Sequence, residues 1–205
     1  GGARRAGALR ARCAPAEAAA ETKEEKPAPP PLSVEDSVGK LDIRVGTITA
    51  VEKHPDADSL YVETVDMGEE EPRTIVSGLV KYVSEDQLLN RNVLVLANLK
   101  PRNMRGIKSF GMLLCASNEE HTEVEPLTPP EGAVPGERLR FCGGEDGETP
   151  EPEPATGNAL QKKKIWERSQ PDFATDADGA PSFRGIPFVT SAGPVTPTIP
   201  NGTIS

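Results

Sequence analysis

Leu41-Asp42-Ile43-Arg44-Val45-Gly46-Thr47-Ile48-Thr49-Ala50-Val51 is the stretch whose pattern decides the fold. Leu41, Ile43, Val45, Thr47, Thr49 and Val51 fall on one face; Asp42, Arg44 and Gly46 fall on the other. Period two over this length predicts a half-buried strand. The Asp- and Pro-rich run His54-Pro55-Asp56-Ala57-Asp58-Ser59 follows and reads as a turn. Leu60 to Met67 reads as a second strand, Gly68 to Pro72 as an acidic hairpin turn, and Arg73 to Val76 as a third strand ended by Ser77-Gly78. Ser84-Glu85-Asp86-Gln87 has the form of a capped helix start, with Gln87 at the capping-box position. Val93 to Ala97 and Phe110 to Ala116 are continuous apolar runs that suit buried strands. Five short strands, with one short helix between the third and fourth, is the order of an OB-fold barrel. The fold class expected is therefore all-β dominated, a five-stranded barrel.

Outward from this module the composition changes. Residues 1–33 are a basic, then Glu/Pro-rich leader, expected to be disordered. Its first sixteen residues hold Arg4, Arg5, Arg10 and Arg12 and no acid, as in an organelle transit-peptide remnant; a disordered basic tail has the same composition. The barrel is assigned to 34–141. An acidic Gly/Pro-rich linker or insertion is expected at 142–158, with Glu151-Pro152-Glu153-Pro154 inside it. A small C-terminal α+β subdomain is expected at 159–190, with a helix from Ala159 to Arg168 and an apolar unit carrying Phe183, Ile186 and Phe188. Residues 191–205 are expected to form a flexible tail.

The net charge of −9 argues against a polyanion partner until its distribution is read. From Gln87 to Asn118 there is no acidic residue, and Arg91, Lys100, Arg102, Arg105 and Lys108 give +5, so the remainder sums to −14. Such segregation marks a local anion site, although a strand pair with a solvated basic edge gives the same window. Aromatic residues make up only 4% of the chain, too few for a series of base-stacking platforms, which disfavours a single-strand binder. Cys13, Cys115 and Cys142 fit no metal-ligand spacing, and Cys115 reads as a small core residue. His54, Asp56 and Asp58 read as loop formers rather than as metal ligands or an acid–base set. Asp36, Asp42 and Glu63 show no catalytic pairing, and no phosphate-binding glycine loop is present. No catalytic residue, metal or cofactor is expected. No apolar run approaches the length of a membrane span, so no membrane insertion is expected.

Chemistry concentrates in Asn98-Leu99-Lys100-Pro101-Arg102-Asn103-Met104-Arg105-Gly106-Ile107-Lys108-Ser109, between two apolar runs. Pro101 fixes the loop entry and Gly106 permits an unusual backbone angle. Arginine donates two parallel hydrogen bonds to phosphate, lysine adds a point charge, and Ser109 adds a small donor. Lys162-Lys163-Lys164 either extends this surface or is the solvated face of a helix, and Trp166 reads as an anchor of the subdomain core.

Together with Leu41 to Gly46, His54 to Tyr61, Val76 to Val80, Lys162 to Glu167 and Gln170-Pro171-Asp172, this segment resembles the endothelial monocyte-activating polypeptide II-like tRNA-binding domains. Those domains occur at the C-terminus of tyrosyl-tRNA synthetase, in plant methionyl-tRNA synthetases and in multisynthetase-complex scaffolds. The resemblance covers roughly Leu41 to Val189. It implies an OB barrel followed by a subdomain that mimics the dimer interface of homodimeric relatives, and hence a monomer. It also implies non-catalytic binding of the tRNA elbow with little sequence preference, in support of aminoacylation or another tRNA-using complex. The candidate tRNA-binding residues are Asn98, Lys100, Arg102, Arg105, Lys108, Ser109 and Met112. Asn103 departs from the lysine that many relatives carry there. The expected partners are tRNA and an aminoacyl-tRNA synthetase or other large complex. The alternative is an OB fold recruited as a structural subunit with little tRNA binding. The leader and the plant-type resemblance together suggest a plastid (chloroplast) location, with the cytoplasm as the alternative.

Overall fold

A computed structural model of the chain describes residues 32–141 and 153–205. Most of the leader, most of the acidic segment, Cys13 and Cys142 lie outside the described residues.

In chain order the strands of the barrel region are β1 (Ile43–Lys53), β2 (Tyr61–Asp66), β3 (Arg73–Ser77), β4 (Asn92–Leu96), β5 (Arg102–Met104), β6 (Ile107–Ser109), β7 (Met112–Leu113), β8 (Cys115–Ser117) and β9 (Val124–Pro126). Helix α1 (Glu85–Leu88) sits between β3 and β4, and its capping box is formed by Ser84 and Gln87. The main sheet is antiparallel in the order β3-β2-β1-β4-β7. Phe110 N–H donates to Thr74 O (2.9 Å), and Val76 N–H donates to Ser109 Oγ (3.0 Å). These bonds draw β3 towards the chain that follows β6 and nearly close the barrel.

Two apolar clusters share the barrel wall. Inside the barrel lie Ile48, Tyr61, Val65, Ile75, Leu88, Val93, Val95, Leu113 and Cys115. Outside it, Ile43, Val45, Leu94 and Leu96 pack beneath the C-terminal residues. Because β4 is covered on both faces, its sequence is a continuous apolar run rather than an alternating one. The same double burial corrects the single-face reading of β1. Ile48 is fully buried whereas Thr49 is exposed, and the β1–β2 register shifts between Ile48 and Ala50. The first part of β1 serves the outer cluster, and Ile48 serves the inner one.

The apolar run from Phe110 to Ala116 is not one strand. Phe110 is exposed, β7 pairs with β4, and β8 leaves for a second sheet. The C-terminal elements are α2 (Gly157–Lys163), α3 (Ile165–Ser169), β10 (Phe173–Thr175), β11 (Pro181–Phe183), β12 (Ile186–Pro187), β13 (Val189–Thr190), β14 (Gly193–Pro194) and β15 (Thr203–Ile204). The expected single helix breaks at Lys164, whose φ of +50° is left-handed. It also begins at Gly157, inside the segment read as linker. The second sheet runs β12-β11-β10-β15-β8-β9, so barrel strands and appendage strands share one hydrogen-bonded sheet. Phe173 stands at the centre of the aromatic packing, 5.5 Å from Trp166, 4.9 Å from Phe183 and 5.7 Å from Phe188 between ring centroids.

The expectation of a flexible tail at 191–205 is corrected here. Thr203 pairs with Ser117 and Ile204 with Ala116, and Val195 and Ile204 are buried. Proline-, threonine- and glycine-rich composition concealed two apolar side chains that reach the core.

Inside the barrel wall β2 carries Glu63, which is fully buried. Ser77 Oγ donates to its Oε1, and Oε2 has no hydrogen-bond partner among the described residues. Burial pushes the carboxyl up to about 8, against the smaller opposing effect of the Ser77 bond. Glu63 is thus a neutral acid at pH 7. Burial also pushes the nearby Cys115 thiol up to about 12, so Cys115 packs as an inert core group.

Candidate nucleic-acid interface

The basic connection expected between two strands is a hairpin of its own. Arg102 pairs with Ser109, Asn103 with Lys108 and Met104 with Ile107. Its two loop residues have positive φ, +51° at Arg105 and +99° at Gly106, the form of a type I′ turn. That turn matches the right-handed twist of the strands. Asn103 Oδ1 accepts from Gly106 N–H at 2.8 Å and fixes the tip. A lysine at this position would have no acceptor for that bond, so Asn103 exchanges a cation for turn rigidity.

His54 anchors the hairpin from the β1–β2 connection and is almost fully buried. Asp56 N–H can only donate, so His54 Nδ1 accepts it (3.1 Å), and Nε2 therefore carries the proton and donates to Met104 O (3.0 Å). The hydrogen-bond pattern assigns one neutral tautomer, which makes His54 a positioning residue. Among the described residues no group of three His, Cys, Asp or Glu side chains is placed to hold a metal ion.

Lys100, Arg102, Arg105 and Lys108 are all exposed, and none forms a salt bridge among the described residues. Arg91, the fifth cation of the acid-free window, is committed elsewhere: it donates to Glu125 at 2.9 Å and to Thr128 at 2.8 Å. The structure thus separates four available cations from one structural cation, a division that charge counting does not make.

Three other residues of the candidate set are placed differently. Asn98 uses its whole amide within the chain: Oδ1 accepts from Asp42 N–H (3.0 Å), and Nδ2 donates to Lys40 O and Ala155 O, each at 2.9 Å. Ser109 Oγ accepts from Val76 N–H and donates to Gly111 O (2.9 Å), and the residue is buried. Met112 packs against the outer cluster. Asn98 and Ser109 therefore hold the base of the hairpin and leave no side-chain donor for RNA. Replacing Asn98 with Ala leaves Asp42 N–H and Ala155 O without a partner, while Lys40 O keeps its bond from Ala155 N–H; a stability loss of about 2 kcal/mol is expected, with no such loss for Lys100→Ala. Paired denaturant melts of the two variants check this; equal midpoints would remove Asn98 from the structural role.

The appendage presses on the same segment. A Cβ on Gly157 would lie 3.0 Å from Lys100 N and 3.1 Å from Asn98 O, so any larger residue would push the start of α2 a few tenths of an ångström away from the chain entering β5. Between hairpin and helices runs a cleft of about 680 Å³. Sequence reasoning missed this cleft because its far wall comes from Gln161, Trp166, Glu167 and Gln170, more than fifty residues downstream of the hairpin.

Comparison with known proteins agrees with this architecture. The family model described as "Putative tRNA binding domain" matches residues 43–138. The chain is 55% identical over 167 residues to the cytoplasmic tyrosine–tRNA ligase of Xenopus tropicalis, covering 80% of this chain and 30% of that protein. It is 49% identical over 168 residues to aminoacyl tRNA synthase complex-interacting multifunctional protein 1 of Cricetulus griseus, covering 82% of this chain and 44% of that protein. The chain thus spans less than half the length of these relatives. Among solved structures, the C-terminal domain of Plasmodium vivax p43 superimposes with a TM-score of 0.75 at 37% identity, covering 83% of this chain and 99% of that one. With its barrel, its appendage and this degree of identity, the chain belongs to the tRNA-binding domain family, in the endothelial monocyte-activating polypeptide II-like form.

Proposed function

We propose that this chain is a non-catalytic module that grips the tRNA backbone with the β5–β6 hairpin and assists an aminoacyl-tRNA synthetase or another tRNA-using complex. The observation that carries the reading is Arg105. It occupies a left-handed position at the hairpin tip where glycine costs less, and its side chain is exposed. A strained cation held at the tip of a pre-shaped turn, flanked by Lys100, Arg102 and Lys108, suits phosphate rather than stability. Similarity to a synthase complex-interacting protein supports the assisting role. The acid-free first sixteen residues are the basis for proposing a plastid location, and the covered outer wall of β1 and β4 is the basis for proposing a monomer.

Four cations on tRNA phosphates give a log affinity that falls with log salt at a slope of roughly −3 to −4. Arg105→Gly is expected to flatten that slope by about one and to weaken all tRNAs alike. The same substitution relieves the positive φ, so the folded state gains about 0.5–1 kcal/mol. Filter binding with total tRNA across a salt series, beside a thermal melt, reads both effects. An unchanged slope would show that the hairpin is not the site, and absence of any tRNA binding would favour the structural-subunit reading.

A further inference from the structure

The cleft between the β5–β6 hairpin and α2–α3 has a chemical gradient that phosphate contacts alone do not require. Lys100 and Arg102, both exposed and without a salt bridge among the described residues, form its hairpin side. Leu99, Met104, Met112 and Trp166 supply apolar surface. Gln161, Glu167 and Gln170 close the helix side. Trp166 is more than nine-tenths buried, yet it lines the cleft, and its indole N–H has no hydrogen-bond partner among the described residues.

Cations on one wall, apolar surface between and amides opposite are what a single nucleotide requires. The phosphate needs the positive wall. The faces of the base need flat or polarisable apolar groups, and the edge of the base needs groups that both donate and accept. Glu167 opposite the cations sets the direction, because it repels a phosphate and accepts from an exocyclic amine. The cleft volume falls within the range of about 300–1,000 Å³ typical of small-ligand sites. A duplex whose bases are all stacked and paired cannot fill it. The geometry points to a site for one unstacked nucleobase of the bound tRNA, seated beside the hairpin that holds the adjoining phosphates. This inference rests on the tRNA-binding reading above and adds to it a preference for RNA with an unpaired, extrudable base.

Trp166 is the single tryptophan of the chain, so its fluorescence reports on the cleft. The whole chain is titrated with total tRNA and, separately, with a fully paired RNA duplex, while retention on filters measures binding. With tRNA, Trp166 emission is expected to change with the same midpoint as binding. The duplex is expected to bind with the same dependence on Arg105 and to leave the emission unchanged. Removing both amides (Gln161→Ala with Gln170→Ala) is expected to weaken tRNA about tenfold, to leave duplex binding unchanged, and to preserve the salt slope, since no charge is lost. If tRNA binds in an Arg105-dependent manner while Trp166 emission stays constant at saturation, or if the double variant binds tRNA normally, the cleft inference is overturned and the hairpin reading survives. If neither RNA binds, both fall together.

Discussion

Replacing Trp166 with Ala is expected to cost about 3–5 kcal/mol, the range for removing a large aromatic from a packed core. Trp166 is 8% exposed and packs on Phe173, which in turn contacts Phe183 and Phe188. The loss should fall unevenly. The barrel interior around Ile48, Val65, Val93 and Val95 contains none of these aromatics. The appendage should therefore open first and uncover Ile43, Val45, Leu94 and Leu96 on the outer wall. Hydrogen exchange is expected to show β10, β11 and β15 losing protection while β2 and β3 retain theirs. Light scattering is expected to show self-association through the uncovered apolar wall. Simultaneous loss of protection in both regions would mean one cooperative unit and would refute the uneven opening.

Glu63 gives the second large effect. An unfolded chain releases this proton near the ordinary value of 4.5, whereas the folded chain holds it up to about 8. Between these values the native state binds one proton more than the unfolded state. The contribution of Glu63 is therefore complete below pH 4.5, declines by about 1.4 kcal/mol per pH unit, and is lost above pH 8. The total is on the order of 5 kcal/mol. Glu63→Gln keeps the size and an acceptor for Ser77 but cannot ionise. The variant should match the natural chain near pH 4.5 and exceed it in stability by several kcal/mol near pH 9. Denaturant melts across that range test the claim, and two parallel curves would refute it. Groups such as Glu69, held low by Arg73, act below this window and cancel in the comparison.

The elements legible in sequence were those governed by local pattern. The alternation from Leu41 to Val51, the capping box at Ser84 and Gln87, and the double-sided apolar run of β4 each carry their own signature. The cluster of Lys100, Arg102, Arg105 and Lys108 was equally visible, since charge and spacing are sequence properties. What was not legible depends on partners distant in the chain. Nothing near Asn98 shows that Lys40, Asp42 and Ala155 claim its amide, and nothing near Ser109 shows that Val76 claims its hydroxyl. In sequence both therefore look like polar groups free to contact RNA, whereas the fold uses their side-chain donors within the chain. The hairpin was hidden because Arg105-Gly106 is a weaker turn signal than Asn-Gly or Asp-Gly. Strand β15 was hidden because two residues are too few to show any period. Glu63 lies in a strand of ordinary alternation, and only the folded barrel reveals that its carboxyl has left water.

The pairing of β8 with β15 also bears on how the chain is made. Ser117 and Thr203 are 86 residues apart and meet edge to edge in one sheet. Translation proceeds from the N-terminus at roughly 5–20 residues per second, so on the order of ten seconds separate the emergence of the two strands. During that interval β8 can pair with β9 on one side only, and its other side presents open amides and carbonyls to the ribosome's surroundings. The outer apolar wall of β1 and β4 is bare for most of the same period. A nascent barrel in this condition carries an unpaired strand edge beside a bare apolar wall, and its aggregation hazard is greatest before β15 is synthesised.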